Sequence, residues 1–491
     1  MMGRRSFGSG AMVACLTVAI AVAGCGGDDA GTTATEDEAM AGASGERWLA
    51  GDHHIHSQFS VGWNTDVDPP EPIVAGDAIY PIPTNAEMAR EHGLEWMVST
   101  DHGGPNHSKV NSEMAYPELL ASRESVPEVI QFYGMEFDTP GADHSSMIIP
   151  HSHEERDQLE AIESQYSRNE PWPRDPSWNT EPRMIEALTM MRDMEREPLV
   201  IANHPSRSAD GLGQYGLYDP AEFRDWNDTA PRVAVGMAGA PGHQAVTIEE
   251  DGSIGTGPRG GYSGHPTMGG FDQMTARLGG FWDSMLGEGR RWWVTSNSDS
   301  HVHWTEGGSD FWPGEYSKTY VLADKNHDAI MTSIREGHVF VTTGDLISEL
   351  WITAEIDGAS ARIGDALEIP AGSDVTVTIR FRDPSGANHR GETPSVMRVD
   401  LIAGEVHGPV EDRSTDTNPT TRVVERFGSD AWETDGEYSS ITYVMEAVGH
   451  DSYIRVRGTN TDEMEPSLDP DGEDPWSDLW FYSNPIFIQA R

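Results

Sequence analysis

Short apolar segments that end in histidine, aspartate or glutamate recur through residues 48–303 and limit the folds open to this chain. They read WLAGDHHIH (48–56), LEWMVSTDH (94–102), VIQFYGMEFD (129–138), DHSSMIIP (143–150), PLVIANHP (198–205) and RWWVTSNSDSH (291–301). Between them lie stretches with helical spacing of apolar residues: TNAEMAREHG (84–93), RMIEALTMMRDM (183–194) and a segment around TARLGGFWDSML (275–286). Thr84 and Glu87 carry a capping-box signature, and Gly93 is a stop. Strands alternating with helices imply an α/β fold with a parallel sheet, and polar groups at strand C-termini are the arrangement of barrel enzymes. RVAVGMAGAP (232–241) continues the series, while the Gly-, Pro- and Asp-rich character of residues 206–275 reads as active-site loops.

Helical signals stop near residue 345. DVTVTIRFRD (374–383) alternates Val375, Val377, Ile379 and Phe381 with Thr and Arg, a period of two that buries one face. VMRVDLIAG, SITYVMEAV, SYIRVRG and PIFIQA follow as short strands, so residues 346–491 read as an all-β sandwich after a barrel over 47–345. DPDGED (469–474) lacks the ligand spacing of a calcium loop and reads as an acidic surface turn.

The two cysteines of the 491 residues, Cys15 and Cys25, both fall in a leader. Arg4 and Arg5 precede an apolar run too short to span a bilayer, which marks residues 1–25 as a signal peptide. Val22-Ala23-Gly24-Cys25 resembles a bacterial lipobox, which implies lipid attachment at Cys25, an exported protein and a membrane partner. Residues 26–46 are small and acidic, as a flexible tether would be. The mature fold then stands on packing and metals without a disulfide. A net charge of −48, with Lys109, Lys318 and Lys325 the only lysines, makes non-specific nucleic-acid binding unfavourable. A small-molecule substrate and no nucleic acid are therefore expected.

His54 and His56 share one face of a strand, a weak signal alone. Collected with Asp101, His102, Glu136, His144, His204, Asp299 and His301, all at or just after strand ends, they form a donor set of imidazoles and carboxylates. Such donors suit Zn, Mn or Fe, and a carboxylate can bridge two ions. His53 points to the opposite face and reads as packed behind the site. His151 and His153 read as a surface turn, and His303 as a residue at the pocket mouth.

The motifs DHHIHS, STDH, GMEFD, DHSSM, NHP and SDSH, in this order over residues 48–303, resemble the polymerase and histidinol phosphatase (PHP) family of metallohydrolases. The continuation at 316–345 into a sandwich closing with YSNPIFI resembles the branch with aryl-carbamate hydrolases. The resemblance implies a distorted (β/α)7 TIM-like barrel. It also implies that His54, His56 and Asp299 hold one divalent ion, that Glu136 bridges, and that His144 and His204 complete a second. His102 and His301 resemble ligands of a third site, but where the family places a donor this chain has Ser60-Val61-Gly62. Valine cannot ligate, so a third ion needs Asp66 or Asp68 to swing in.

The expected activity is a binuclear, metal-dependent hydrolase of phosphoesters, with carbamate, amide or carboxylic ester cleavage and a non-catalytic metal-containing binding lipoprotein as alternatives. Asp299 is the expected proton acceptor, His102 or His301 the donor to the leaving group, and Arg207 and Lys109 the cations that meet the substrate.

Overall fold

The strand ends gather at one place because the strands carrying them are neighbours in one sheet. The computed structural model describes residues 45–491; the signal peptide, Cys25 and all but the last two residues of the tether lie outside the described residues. The architecture is mixed α/β, with a 15-stranded central sheet and separate antiparallel sheets of five and two strands. One part of the central sheet runs Ser317–Ala323, Arg47–Ile55, Trp96–Ser99, Ile130–Asp138, His144–Ile148, Leu199–Ala202, Ala234–Ala240, Trp293–Ser296.

The strand series is as expected, but the sheet is not purely parallel. Ile130–Asp138 pairs antiparallel with His144–Ile148, and that strand pairs antiparallel with Leu199–Ala202. Only residues 139–143 separate the first two, a link that makes a hairpin but is too short for a parallel crossover. Arg47–Ile55 also meets Ser317–Ala323 antiparallel. The ladder does not trace a closed TIM barrel. Trp293–Ser296 returns to the first strands through an isolated Ile55–Ser300 bridge. It is also held through the Thr319 hydroxyl, which accepts from Ser296 N at 2.8 Å and donates to Ser296 O at 2.7 Å.

Two local expectations shift. The helix Ile82–Glu91 starts after Pro81 with no side-chain cap, so Thr84 caps nothing; Pro83 in the first turn presets helical φ earlier than the capping box would. Gly93, at φ 78°, does follow its end. The stretch around residues 275–286 is two short helices, Gln273–Ala276 and Phe281–Gly287, parted at Gly279, whose φ is 70°. Residues 206–275 are not all loop, since they contain the helix Pro220–Thr229 and the strand Ala234–Ala240.

The C-terminal strands continue the same sheet. Val339–Thr343 bridges Ser317–Ala323 to Trp480–Ser483, which leads on through Ser452–Thr459 to Arg398–Glu405 and Ile486–Ala490. The five-stranded sheet packs against it: Val375, Val377, Ile379 and Phe381 are buried in one cluster with Val399, Leu401, Ile454, Val456 and Phe481, the one-faced burial that period-two alternation requires. The described residues, 45–491, fall in a single compact unit.

A buried ion pair supports the turn that follows the strand Arg47–Ile55. His107 donates through Nδ1 to Glu163 Oε1 at 2.7 Å and through Nε2 to the Phe59 carbonyl at 2.9 Å. Burial works against its charge, but Glu163 lifts its pKa from 6.5 to about 9. A raised imidazole pKa stabilises the fold fully below its unfolded value and loses that contribution as pH rises through the folded one. Wild type should therefore lose on the order of 3 kcal/mol between pH 6 and pH 9.5 that His107→Gln does not lose; denaturant melts of both proteins across that range measure the difference.

Candidate metal centre

His54 and His56 sit at the end of Arg47–Ile55 with their Nε2 atoms 2.9 Å apart. Asp299 Oδ1 lies 3.1 Å from each of them. Glu136 Oε1 is 3.1 Å from His54 Nε2, and its Oε2 is 3.6 Å from His56 Nε2. The same carboxylate reaches outward, Oε1 to His204 Nε2 at 3.2 Å and Oε2 to His144 Nδ1 at 3.1 Å. Two groups able to hold a cation result, His54–His56–Glu136–Asp299 and Glu136–His144–His204, with Glu136 in both.

The donor set suits metal. Asp299 Oδ1 and His144 Nδ1 are buried without a hydrogen bond although both face the cluster, a costly arrangement unless a cation meets them. The tautomer of His56 is fixed from behind. Asp101 accepts from Ser57 N at 2.5 Å, Ser57 Oγ at 2.7 Å and Ser60 Oγ at 3.0 Å. Having spent its proton on Asp101, the Ser60 hydroxyl accepts from His56 Nδ1 at 2.8 Å, which leaves a lone pair on His56 Nε2 for a metal. Asp52, its pKa pushed up by burial to about 6, accepts from His54 N at 2.9 Å and Ser298 N at 3.1 Å, tying the two strand ends together. His53 faces the other way, as expected. It bonds Ser146 Oγ at 3.0 Å and Thr295 Oγ1 at 2.8 Å, and burial drives its pKa down to about 3.

Burial alone would raise the Glu136 carboxyl, yet His144 and His54 hold it well below the usual range. Burial opposes charge on His144, while Glu136 and Asp138 lift it to about 10. The open cavity of about 470 Å³ at this cluster is lined by Asp77, Glu136, Asp299 and Asp310 against a single arginine, Arg207.

The third group is built differently from expectation. His56, His102 and His301 lie together, and the His56 and His301 rings stack at 3.8 Å. Val61 is buried in the core, and Asp68 is occupied by Trp172 Nε1 at 2.6 Å. Asp77 arrives instead, its Oδ2 2.7 Å from His102 Nε2 and 3.7 Å from His301 Nε2. Sequence reasoning missed it because it sits in a loop, in VAGDAIY, not at a strand end.

His243 was missed as well, although it follows Ala234–Ala240 by three residues and so obeys the strand-end rule. Its Nε2 lies 3.0 Å from Asp299 Oδ2 and its Nδ1 2.5 Å from Asp310 Oδ1. Burial opposes its charge, but Asp299 and Asp310 hold its pKa well above the usual value.

Arg207 lines the cavity, with Nη2 2.9 Å from Asp143 Oδ1. Lys109 does not; it is exposed on the short helix His107–Val110 and is absent from the cavity lining. His303 likewise leaves the mouth, its Nε2 turned to Glu315 Oε2 at 2.9 Å. His151 pairs with Glu155 at 3.1 Å and His153 is exposed, so the second His-x-His pair is a surface turn.

No protein-family model matches the chain, and no curated protein does. Among solved structures, one of Endonuclease Q with a 27-mer duplex substrate carrying an abasic lesion at the active site is similar at TM-score 0.31 and 14% identity, over 60% of this chain and 56% of that one. The lesion-specific endonuclease from Pyrococcus furiosus is similar at TM-score 0.28 and 14% identity, over 59% of this chain and 56% of that one. The chain thus spans just over half the length of each solved chain. Against the expectation of a small-molecule substrate and no nucleic acid, one of these similar structures holds a duplex substrate.

Glu136→Gln should weaken cation binding in both groups at once, because one charge serves both, whereas His53→Gln should leave metal content near that of wild type. Elemental analysis after dialysis against Zn or Mn compares them, and full metal content in Glu136→Gln would contradict the shared carboxylate.

Proposed function

We propose that this chain is a PHP-type, metal-dependent hydrolase of phosphoester bonds, on a distorted (β/α)7 barrel; the isolated Ile55–Ser300 bridge, which brings the end of Trp293–Ser296 back to the first strand, supports that fold. The observation that carries the reading is the Glu136 carboxylate, which lies within 3.1 to 3.6 Å of His54 and His56 in one donor group and of His144 and His204 in the other. Divalent cations held there supply Lewis acidity that activates water and polarises a phosphoryl oxygen near neutral pH. His54, His56 and Asp299 hold the first, His144 and His204 the second, and Glu136 joins them. His102, His301 and Asp77 lie together beside this pair.

The protein's own groups divide the remaining work. Arg207, on the loop after Leu199–Ala202, lines the cavity as its guanidinium and is placed to meet the non-bridging oxygens of a phosphoryl group. Asp143 at 2.9 Å holds that guanidinium in place. Asp299 is the carboxylate placed to take up the proton of the attacking water, and His301, whose ring lines the cavity, is the group that faces the leaving oxygen. Nucleic acid and other phosphodiesters stand within this class alongside monoesters.

Metal-loaded protein should cleave members of a panel of phosphomonoesters, phosphodiesters and an abasic duplex. Arg207→Ala should lower kcat/KM on the best of them about 100-fold, the scale of one lost oxyanion donor. Cleavage of aryl carbamates with no phosphoester turned over would sink the phosphoester reading.

A further inference from the structure

The two oxygens of Asp299 face different partners. Oδ1 turns into the cluster, 3.1 Å from His54 Nε2 and His56 Nε2, and receives no hydrogen bond. Oδ2 is taken by His243 Nε2 at 3.0 Å. His243 is fixed from the far side by Asp310, itself buried and held through Oδ2 by the N–H groups of His301 at 2.7 Å and Val302 at 3.1 Å. The Ser309 hydroxyl adds a bond to Asp310 Oδ1 at 3.2 Å.

The backbone is shaped for this contact. A Cβ on Gly242 would lie 2.1 Å from the Asp299 Cβ and 2.3 Å from the Ser298 carbonyl, so only glycine lets the segment approach. Both partners are non-glycine residues in the left-handed region, His243 at φ 55° and Asp299 at φ 47°. Such conformations are strained for residues with a Cβ and persist where the surroundings over-determine them.

We propose that His243, anchored by Asp310, is a positioning residue that holds Asp299 Oδ2 so that Oδ1 alone serves the cation group formed with His54 and His56. This rests on the metal-dependent reading above and adds a residue to it. A carboxylate free to rotate offers either oxygen or chelates through both; a donor on Oδ2 leaves one geometry. Partners of this kind, behind a ligand, typically change metal affinity 10- to 100-fold. His243, Asp299 and His301 also lie close enough to hold a cation themselves, and the experiment separates that role from positioning.

Metal-free full-length protein is titrated with Zn²⁺ or Mn²⁺ against a competing chelator for wild type, His243→Ala, His243→Gln, Asp310→Asn and the His243→Ala/Asp310→Asn pair. The expected result is unchanged stoichiometry, with one binding step weakened about 10- to 100-fold in His243→Ala and Asp310→Asn. The double variant should be no weaker than either single one, because both act through one contact. His243→Gln, whose amide still donates, should recover most of the affinity. On a phosphoester, His243→Ala should lower kcat with KM near wild type. Unchanged affinity at every step in His243→Ala overturns the proposal. So does loss of a whole equivalent of metal, which would make His243 a ligand, and so does equal weakening of all steps together with a fall in Tm. Wild type that binds no cation fails the metal-dependent reading itself, a result distinct from any pattern among the variants.

Discussion

The buried carboxylate of Glu136 is the constraint on which the rest of the structure depends. It is 2% exposed and surrounded by His54, His56, His144 and His204 at 3.1 to 3.6 Å. A carboxylate taken out of water is costly unless paired on every side, and no single element can deliver four imidazoles to one point. The partners come from Arg47–Ile55, from His144–Ile148 and from the turn after Leu199–Ala202, while Asp299 follows Trp293–Ser296. These strands are sheet neighbours or meet across the Ile55–Ser300 bridge. The left-handed conformations of His204, His243 and Asp299 fall where the chain must turn a side chain back toward that point.

What the sequence showed is what periodicity encodes. Apolar runs set the strands, and polar residues at their ends set where a site gathers; the six ligand positions read from those ends do lie in the two groups around Glu136. Direction is not encoded by period, so the Asp138–His144 hairpin reversed one strand without changing its pattern. Proximity in sequence also misleads: Lys109 is seven residues from His102, yet it is exposed and absent from the cavity lining, while Asp77, twenty-five residues before His102, supplies the carboxylate. The Thr84 capping box failed for a related reason, since Pro83 lets the helix begin before the motif.

His107 and Asp101 show a second layer that motif reading does not reach. Asp101 lies in STDH beside a candidate ligand, but its oxygens are taken by Ser57 and Ser60. Its effect passes through Ser60 to the tautomer of His56. His107 holds the Phe59 carbonyl of the same turn. The turn after the first strand is thus clamped from two sides, and Val61, where a ligand was sought, packs into the core. That packing role explains an apolar residue at a place where chemistry alone would favour a donor.

The C-terminal strands bear on the site through the segment that carries His243. Arg259, fully buried, reaches Asp478 Oδ1 at 2.6 Å and the Pro475 carbonyl at 3.0 Å, and its Nε donates to Gln244 Oε1 at 3.0 Å. Asp469, the first residue of DPDGED, is buried rather than on a surface turn. It accepts from Thr267 Oγ1 at 2.6 Å and from the N–H groups of Gly269 and Gly270 at 2.5 and 2.9 Å. Asp469, Glu473 and Asp478 converge closely enough to hold a cation, but the Arg259 guanidinium lies 3.8, 3.4 and 2.6 Å from them and is their counter-charge. A path of direct contacts then runs from Asp478 through Arg259 to Gln244, the neighbour of His243, and so to Asp299. Buried charges of this kind are costly to break singly, so the Asp478–Arg259 pair helps to fix the segment after Ala234–Ala240. Residues 346–491 contribute no partner to Glu136 among the described residues, yet through Asp478 and Arg259 they touch the segment that carries His243.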